Sequence, residues 1–81
     1  MPKLFIAGLA YDETPEHLTD WIDAHGFTVM GLKICQGSGR PYAFVNVPTK
    51  TQADDAIKKL DRKACGGSIV RVQEYRGGAG V

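Results

Sequence analysis

The hydrophobic pattern of the chain alternates between a strand-like period of two and a helix-like period of three to four, and each switch marks an element. Lys3-Leu4-Phe5-Ile6-Ala7, bounded by Gly8, alternates as a strand, with Leu4 and Ile6 on one face and Lys3 and Phe5 on the other. In the next segment Leu18, Trp21, Ile22 and His25 share one helical stripe; Thr14 supplies a cap, Pro15 and Glu16 suit the first turn, and Gly26 ends the helix. From Thr28 to Cys35 the alternation returns, predicting Met30, Leu32 and Ile34 inward and Gly31, Lys33 and Cys35 outward. Gln36-Gly37-Ser38-Gly39 is a turn, and Arg40-Pro41-Tyr42-Ala43-Phe44-Val45-Asn46-Val47 is a strand. A second helix is predicted from about Thr51 to Leu60, with Ala53, Ala56, Ile57 and Leu60 as its apolar stripe. Gly66-Gly67 then breaks the chain before a last strand from Ile69 to Tyr75.

The order β-α-β-β-α-β predicts an α+β fold, a ferredoxin-like sandwich in which a four-stranded antiparallel sheet carries two helices on one face. The first and third strands are then central neighbours. Two short helices cover only one face, so the other stays open to water or to a partner. In the third strand Ala43, Val45 and Val47 share one parity, and Arg40, Tyr42, Phe44 and Asn46 share the other. One reading makes the aromatic rings core, or covers them with a helix or the tail, since aromatic residues in strands are commonly buried. That parity, however, would bury Lys3, Arg40 and Asn46 while exposing Leu4, Ile6 and Val45. Burying several unpaired polar groups costs several kcal/mol, on the order of a small domain's whole stability. The pattern therefore favours rings that face outward, with Phe5 beside Tyr42 and Phe44.

Charge changes the picture through its distribution. Net charge is only +1, which alone says nothing for a nucleic-acid partner. Yet Asp12, Glu13, Glu16, Asp20, Asp23, Asp54, Asp55 and Asp61 all fall on the helices and their flanking loops, leaving Glu74 as the strand acid. The strands, turn and tail carry Lys3, Lys33, Arg40, Arg71 and Arg76. Five cations against one acid leave the sheet and tail at +4, and five against eight leave the helical layer at −3. Rings on a cationic platform suit stacked bases and phosphates.

These residues resemble the RNA recognition motif (RRM) family. Leu4-Phe5-Ile6-Ala7-Gly8-Leu9 is similar to the family's hexamer on the first strand, and the Arg40 to Val47 stretch is similar to its octamer, a basic residue, glycine, then alternating aromatic positions. The opening stretch is especially similar to the heterogeneous nuclear ribonucleoprotein type and to small single-domain, glycine-tailed relatives. The resemblance covers about residues 3 to 75 and implies single-stranded RNA binding. Phe5, Tyr42 and Phe44 match the stacking aromatics, and Arg40 matches the phosphate-meeting basic residue. Arg71, Gln73 and Tyr75 fall where the last strand supplies further contacts, with Lys3, Lys33 and Arg76 as additional cations. Two positions depart from the pattern: Pro41 stands for glycine and removes a backbone donor, and Val47 stands for an aromatic at an inward position.

Residues 1–75 are thus expected to form the RRM domain and residues 76–81 a flexible glycine-rich tail. Single-stranded DNA is a second ligand candidate, and the chain is expected to act as a monomer. A protein-interaction domain on the same fold, with little RNA affinity and a partner held on the sheet or the helix face, is the competing reading. Enzyme chemistry finds no footing. His17 and His25 share a helix at a spacing that reads as one surface and one satisfied core histidine, and the paired aspartates read as solvated helix faces. Cys35 and Cys65 lack the spacing of a disulfide framework or a metal motif, so no cofactor or metal is called for; both read as free thiols, with Cys65 in the core. No apolar run suggests a signal peptide or a membrane span, which makes the expected location intracellular, cytoplasmic or, in a eukaryote, nuclear.

Overall fold

The computed structural model describes residues 2–75. The elements follow as β1 (Lys3–Ala7), α1 (Pro15–Ala24), β2 (Gly31–Cys35), β3 (Tyr42–Asn46), α2 (Lys50–Leu60), the short pair β4 (Ala64–Cys65) and β5 (Ser68–Ile69), and β6 (Arg71–Glu74). The main sheet is antiparallel in the order β2-β3-β1-β6, so β1 and β3 are the central strands. Arg76 and the expected tail lie outside the described residues.

Local sequence accounts for each helix. The Thr14 side chain accepts from His17 N at 3.1 Å, and Pro15 opens α1 where no intrahelical N–H is needed. Thr49 caps α2 in the same way, accepting from Gln52 N at 3.2 Å. Lys58 and Lys59 in the last turn of α2 suit the negative end of its dipole. Leu18 and Ile22 of α1, with Ala53, Ala56 and Leu60 of α2, pack on Leu4, Ile6, Ala43, Val45 and Val72 of the sheet, all of them buried. Each fully buried Leu or Ile contributes about 1.5–3 kcal/mol. Val47 is fully buried as well, which makes its departure from the octamer a matter of packing.

Three details differ from the pattern-based expectation. Met30 was expected inward but is 52% exposed, because β2 begins only at Gly31 and Met30 lies in the bend before it. His25 is half-buried at the end of α1, where its Nδ1 lies 2.7 Å from Trp21 O, rather than part of the core stripe. The predicted last strand is divided: Ile69 belongs to the β4–β5 hairpin, turned by Gly66 and Gly67 at φ +60° and +89°, and the sheet strand starts at Arg71. Between them Val70 N–H donates to Lys63 O and Val70 O accepts from Arg62 N, so the backbone there is satisfied outside the main sheet.

Pro41 immediately precedes β3 and is fully buried. Its carbonyl accepts from Leu9 N at 3.2 Å, and as the residue before the strand it deprives the ladder of no donor.

Candidate nucleic-acid interface

Side chains of alternate parity project from the sheet on the side away from the helices. The cross-strand register places Phe5 of β1 directly opposite Phe44 of β3, and Lys33 of β2 opposite Phe44 on its other side. Phe5 also faces Gln73 of β6, and Ala7 faces both Tyr42 and Arg71. The outward parity of Phe5, Tyr42 and Phe44 is therefore observed, with Leu4, Ile6, Ala43 and Val45 fully buried beneath.

The rings form one cluster. Phe5 has its centroid 5.6 Å from Tyr42 and 5.6 Å from Phe44, and Tyr42 lies 5.8 Å from Phe44. Tyr75 completes it at 4.9 Å from Phe44 and 6.4 Å from Phe5. Its arrival depends on the backbone, since Tyr75 N–H donates to Lys3 O at 2.8 Å and so extends the β1–β6 pairing by one residue. The sequence marks Tyr75 only as a further contact; its full membership of the cluster follows from that bond. Tilted and edge-on ring pairs at these distances are mutually attractive, so the half-buried rings support one another.

Cations surround the cluster unevenly. Lys3 Nζ lies 6.0 Å from the Phe44 centroid, within cation–π range. Lys3, Lys33, Cys35, Phe44 and Asn46 line a shallow pocket of about 360 Å³ beside the rings. Arg40 is exposed and donates to Ser68 Oγ on the β4–β5 hairpin at 3.4 Å. Arg71 is exposed but committed, its Nε donating to Asp61 Oδ1 at 3.1 Å. The same oxygen accepts from Val72 N at 2.9 Å. That backbone bond, above all, and then Arg71 and Arg62 hold the Asp61 carboxyl below its ordinary value against the opposing effect of partial burial. Gln73 is exposed beside Phe5.

Sequence reasoning missed a second grouping, built from residues outside the ring cluster. It read His17 as a surface residue and Cys65 as a core thiol, and both descriptions hold, but the fold brings them together around Glu13. The Glu13–His17 spacing of four within a helical start was visible; the arrival of Cys65, 52 residues beyond Glu13, was not.

An open antiparallel sheet that carries clustered rings and flanking cations is the architecture of a single-stranded nucleic-acid platform. Comparison with known proteins gives the family: the RNA recognition motif model matches residues 4–71, and the chain belongs to that family of RNA-binding domains. It is 28% identical over 75 residues to the glycine-rich RNA-binding protein RZ1B of Arabidopsis thaliana, covering 89% of this chain and 26% of that protein. It is 36% identical over 73 residues to the spliceosome associated factor 3, U4/U6 recycling protein, of Mus musculus, covering 86% of this chain and 8% of that one. The chain thus spans about a quarter or less of these curated relatives. Among solved structures, the Rna15 RRM with bound GU RNA superimposes with a TM-score of 0.76 at 22% identity, over 91% of this chain and 82% of that one, a likeness of fold. Among the described residues no helix is long and apolar enough to cross a membrane.

Proposed function

We propose that the chain binds single-stranded RNA across the open face of its sheet, with bases stacking on Phe5, Tyr42 and Phe44 and with Tyr75 as a fourth ring. Lys3, Lys33 and Arg40 meet phosphates or base edges, Arg71 does so once released from Asp61, and Gln73 offers a polar contact beside Phe5. The observation that carries this reading is the ring cluster, four aromatic side chains each with its centroid 4.9–6.4 Å from at least two others, on the sheet face that neither helix covers. Pro41, being buried and lacking an N–H, takes no part in backbone contact with the ligand. A protein-holding role for the same face is not favoured, because base stacking gives all the rings one use, at about 1–3 kcal/mol per base.

The test is titration of the chain with short single-stranded RNAs, followed through backbone amide resonances. Shifts should concentrate at Phe5, Tyr42, Phe44 and Tyr75. Phe5→Ala combined with Phe44→Ala should abolish binding and leave the fold intact, since neither ring is core. Undisturbed sheet amides at high RNA concentration would sink the proposal; tighter binding of the matching DNA would reassign the ligand.

A further inference from the structure

On the side of the molecule where α1 begins, Glu13 reaches two other side chains at once. Its Oε2 lies 2.5 Å from His17 Nδ1, and its Oε1 accepts from the Cys65 thiol at 3.6 Å. A carboxylate oxygen, an imidazole nitrogen and a thiol sulfur therefore lie within 4.8 Å of one another. The group is enclosed from behind: the Glu13 side chain is 1% exposed and Cys65 is fully buried, whereas His17 is 53% exposed and forms the outer wall. Gly66, at the hairpin turn, leaves room for it, because a Cβ there would stand 3.3 Å from His17 Cε1 and 3.4 Å from Glu13 Oε1. A pocket of about 220 Å³ lined by Glu13, His17, Gly66, Asp12 and Thr14 adjoins the cluster.

A carboxylate, an imidazole and a thiol held this close together are a set of donors that a metal ion can take over. Sulfur, imidazole nitrogen and carboxylate oxygen together suit a borderline-soft cation, and zinc accepts all three in tetrahedral geometry. Its bond lengths put neighbouring ligand atoms roughly 3.3–3.8 Å apart. The 3.6 Å Glu13–Cys65 separation already fits, the 2.5 Å Glu13–His17 contact must open by about an ångström, and a pair near the 4.8 Å limit must close by a similar amount; the exposed His17 ring is the member free to move. We propose that Glu13, His17 and Cys65 form a site for a single divalent cation of the zinc class, with water in the fourth position. The ion clips the start of α1 to the β4–β5 hairpin through residues that are not part of the ring cluster, and the proposal does not depend on the RNA reading. Sulfur ligates a metal as the thiolate, so binding releases a proton and affinity rises with pH.

The experiment is titration of the tag-free chain, carrying Cys35→Ser so that one thiol remains, with Co²⁺ as the spectroscopic probe and Zn²⁺ as competitor. A single equivalent of Co²⁺ should produce a thiolate-to-cobalt charge-transfer band together with tetrahedral ligand-field bands. Zn²⁺ should bleach both and raise Tm. Cys65→Ser should remove the charge-transfer band. Because that variant alters a buried position, His17→Gln supplies the second measurement: it changes an exposed ring, should fold as the parent does by circular dichroism, and should weaken binding by more than the roughly 10–100-fold that loss of an outer-shell partner costs. Cobalt binding without a thiolate band, or unchanged affinity in folded His17→Gln, overturns the proposal.

Discussion

Asp61 shows how much one carboxylate oxygen organises. Oδ1 takes both the Val72 N–H and the Arg71 Nε, tying the end of α2 to the edge strand β6. The ionised form is favoured in the folded state, so the folded value lies below the ordinary 3.8. Its stabilisation is complete above that ordinary value and is lost as pH falls through the lower folded one. Asp61→Ala is expected to cost about 1 kcal/mol at neutral pH, below the ~1.5–3 kcal/mol usual for hydrogen bonds to a charged group because the carboxylate is part exposed. In urea unfolding the difference from the parent should shrink once pH drops below 3.8; a gap that stays constant there would assign the effect to packing. None of this was legible in the sequence, where Asp61 counts simply as one acid of the helical layer. The outward parity of Phe5, Tyr42 and Phe44 was legible, because alternation and the cost of burying Lys3, Arg40 and Asn46 both point the same way.

At the scale of elements, the long periodic segments were readable and the short ones were not. Thr14 and Pro15 announce α1 and an apolar stripe announces α2, whereas β4 and β5 have two residues each, too few to show alternation. The signal present was Gly66-Gly67, a pair that supplies the positive φ values of a two-residue hairpin turn and that pattern reading takes for a simple break. The hairpin matters because it supplies Cys65 to the Glu13–His17 group and Ser68 to Arg40. It also rests on the hexamer's glycine: Gly8 has φ +83°, and a Cβ there would stand 3.1 Å from Ile69 O. Gly8→Ala should therefore destabilise the fold by about 1–2 kcal/mol from the left-handed backbone alone, with more from displacing the Ile69 carbonyl. Gly39→Ala, where a Cβ meets nothing within 4 Å, is the control and should leave Tm nearly unchanged. Equal effects of the two in thermal unfolding would contradict the role given to Gly8.

Across the whole molecule, charge is divided between an acidic helical layer and a basic sheet, and that division was legible by counting residues along the predicted elements. What counting could not show is that one of the sheet's cations is already spent. Lys3, Lys33 and Arg40 have no acidic partner among the described contacts, but Arg71 is paired with Asp61. Binding of a single strand releases counterions in proportion to the phosphates neutralised, with a slope of log K against log salt near −0.7 per contact. Among the described residues the three available cations contribute about −2 to that slope, and four would contribute about −3. Asp61→Ala, which frees Arg71, should steepen the slope by about 0.7 and tighten RNA binding at low salt even while it lowers stability. Lys33→Glu should flatten the slope by a similar amount, and Lys58→Glu, exposed on α2 in the other layer, should leave it within error. Fluorescence anisotropy over a salt series measures all of these slopes on one labelled RNA. If Asp61→Ala leaves the slope unchanged while Lys33→Glu flattens it, Arg71 stays off the phosphates even when free, and the phosphate contacts are confined to the cations on the β1, β2 and β3 side of the sheet.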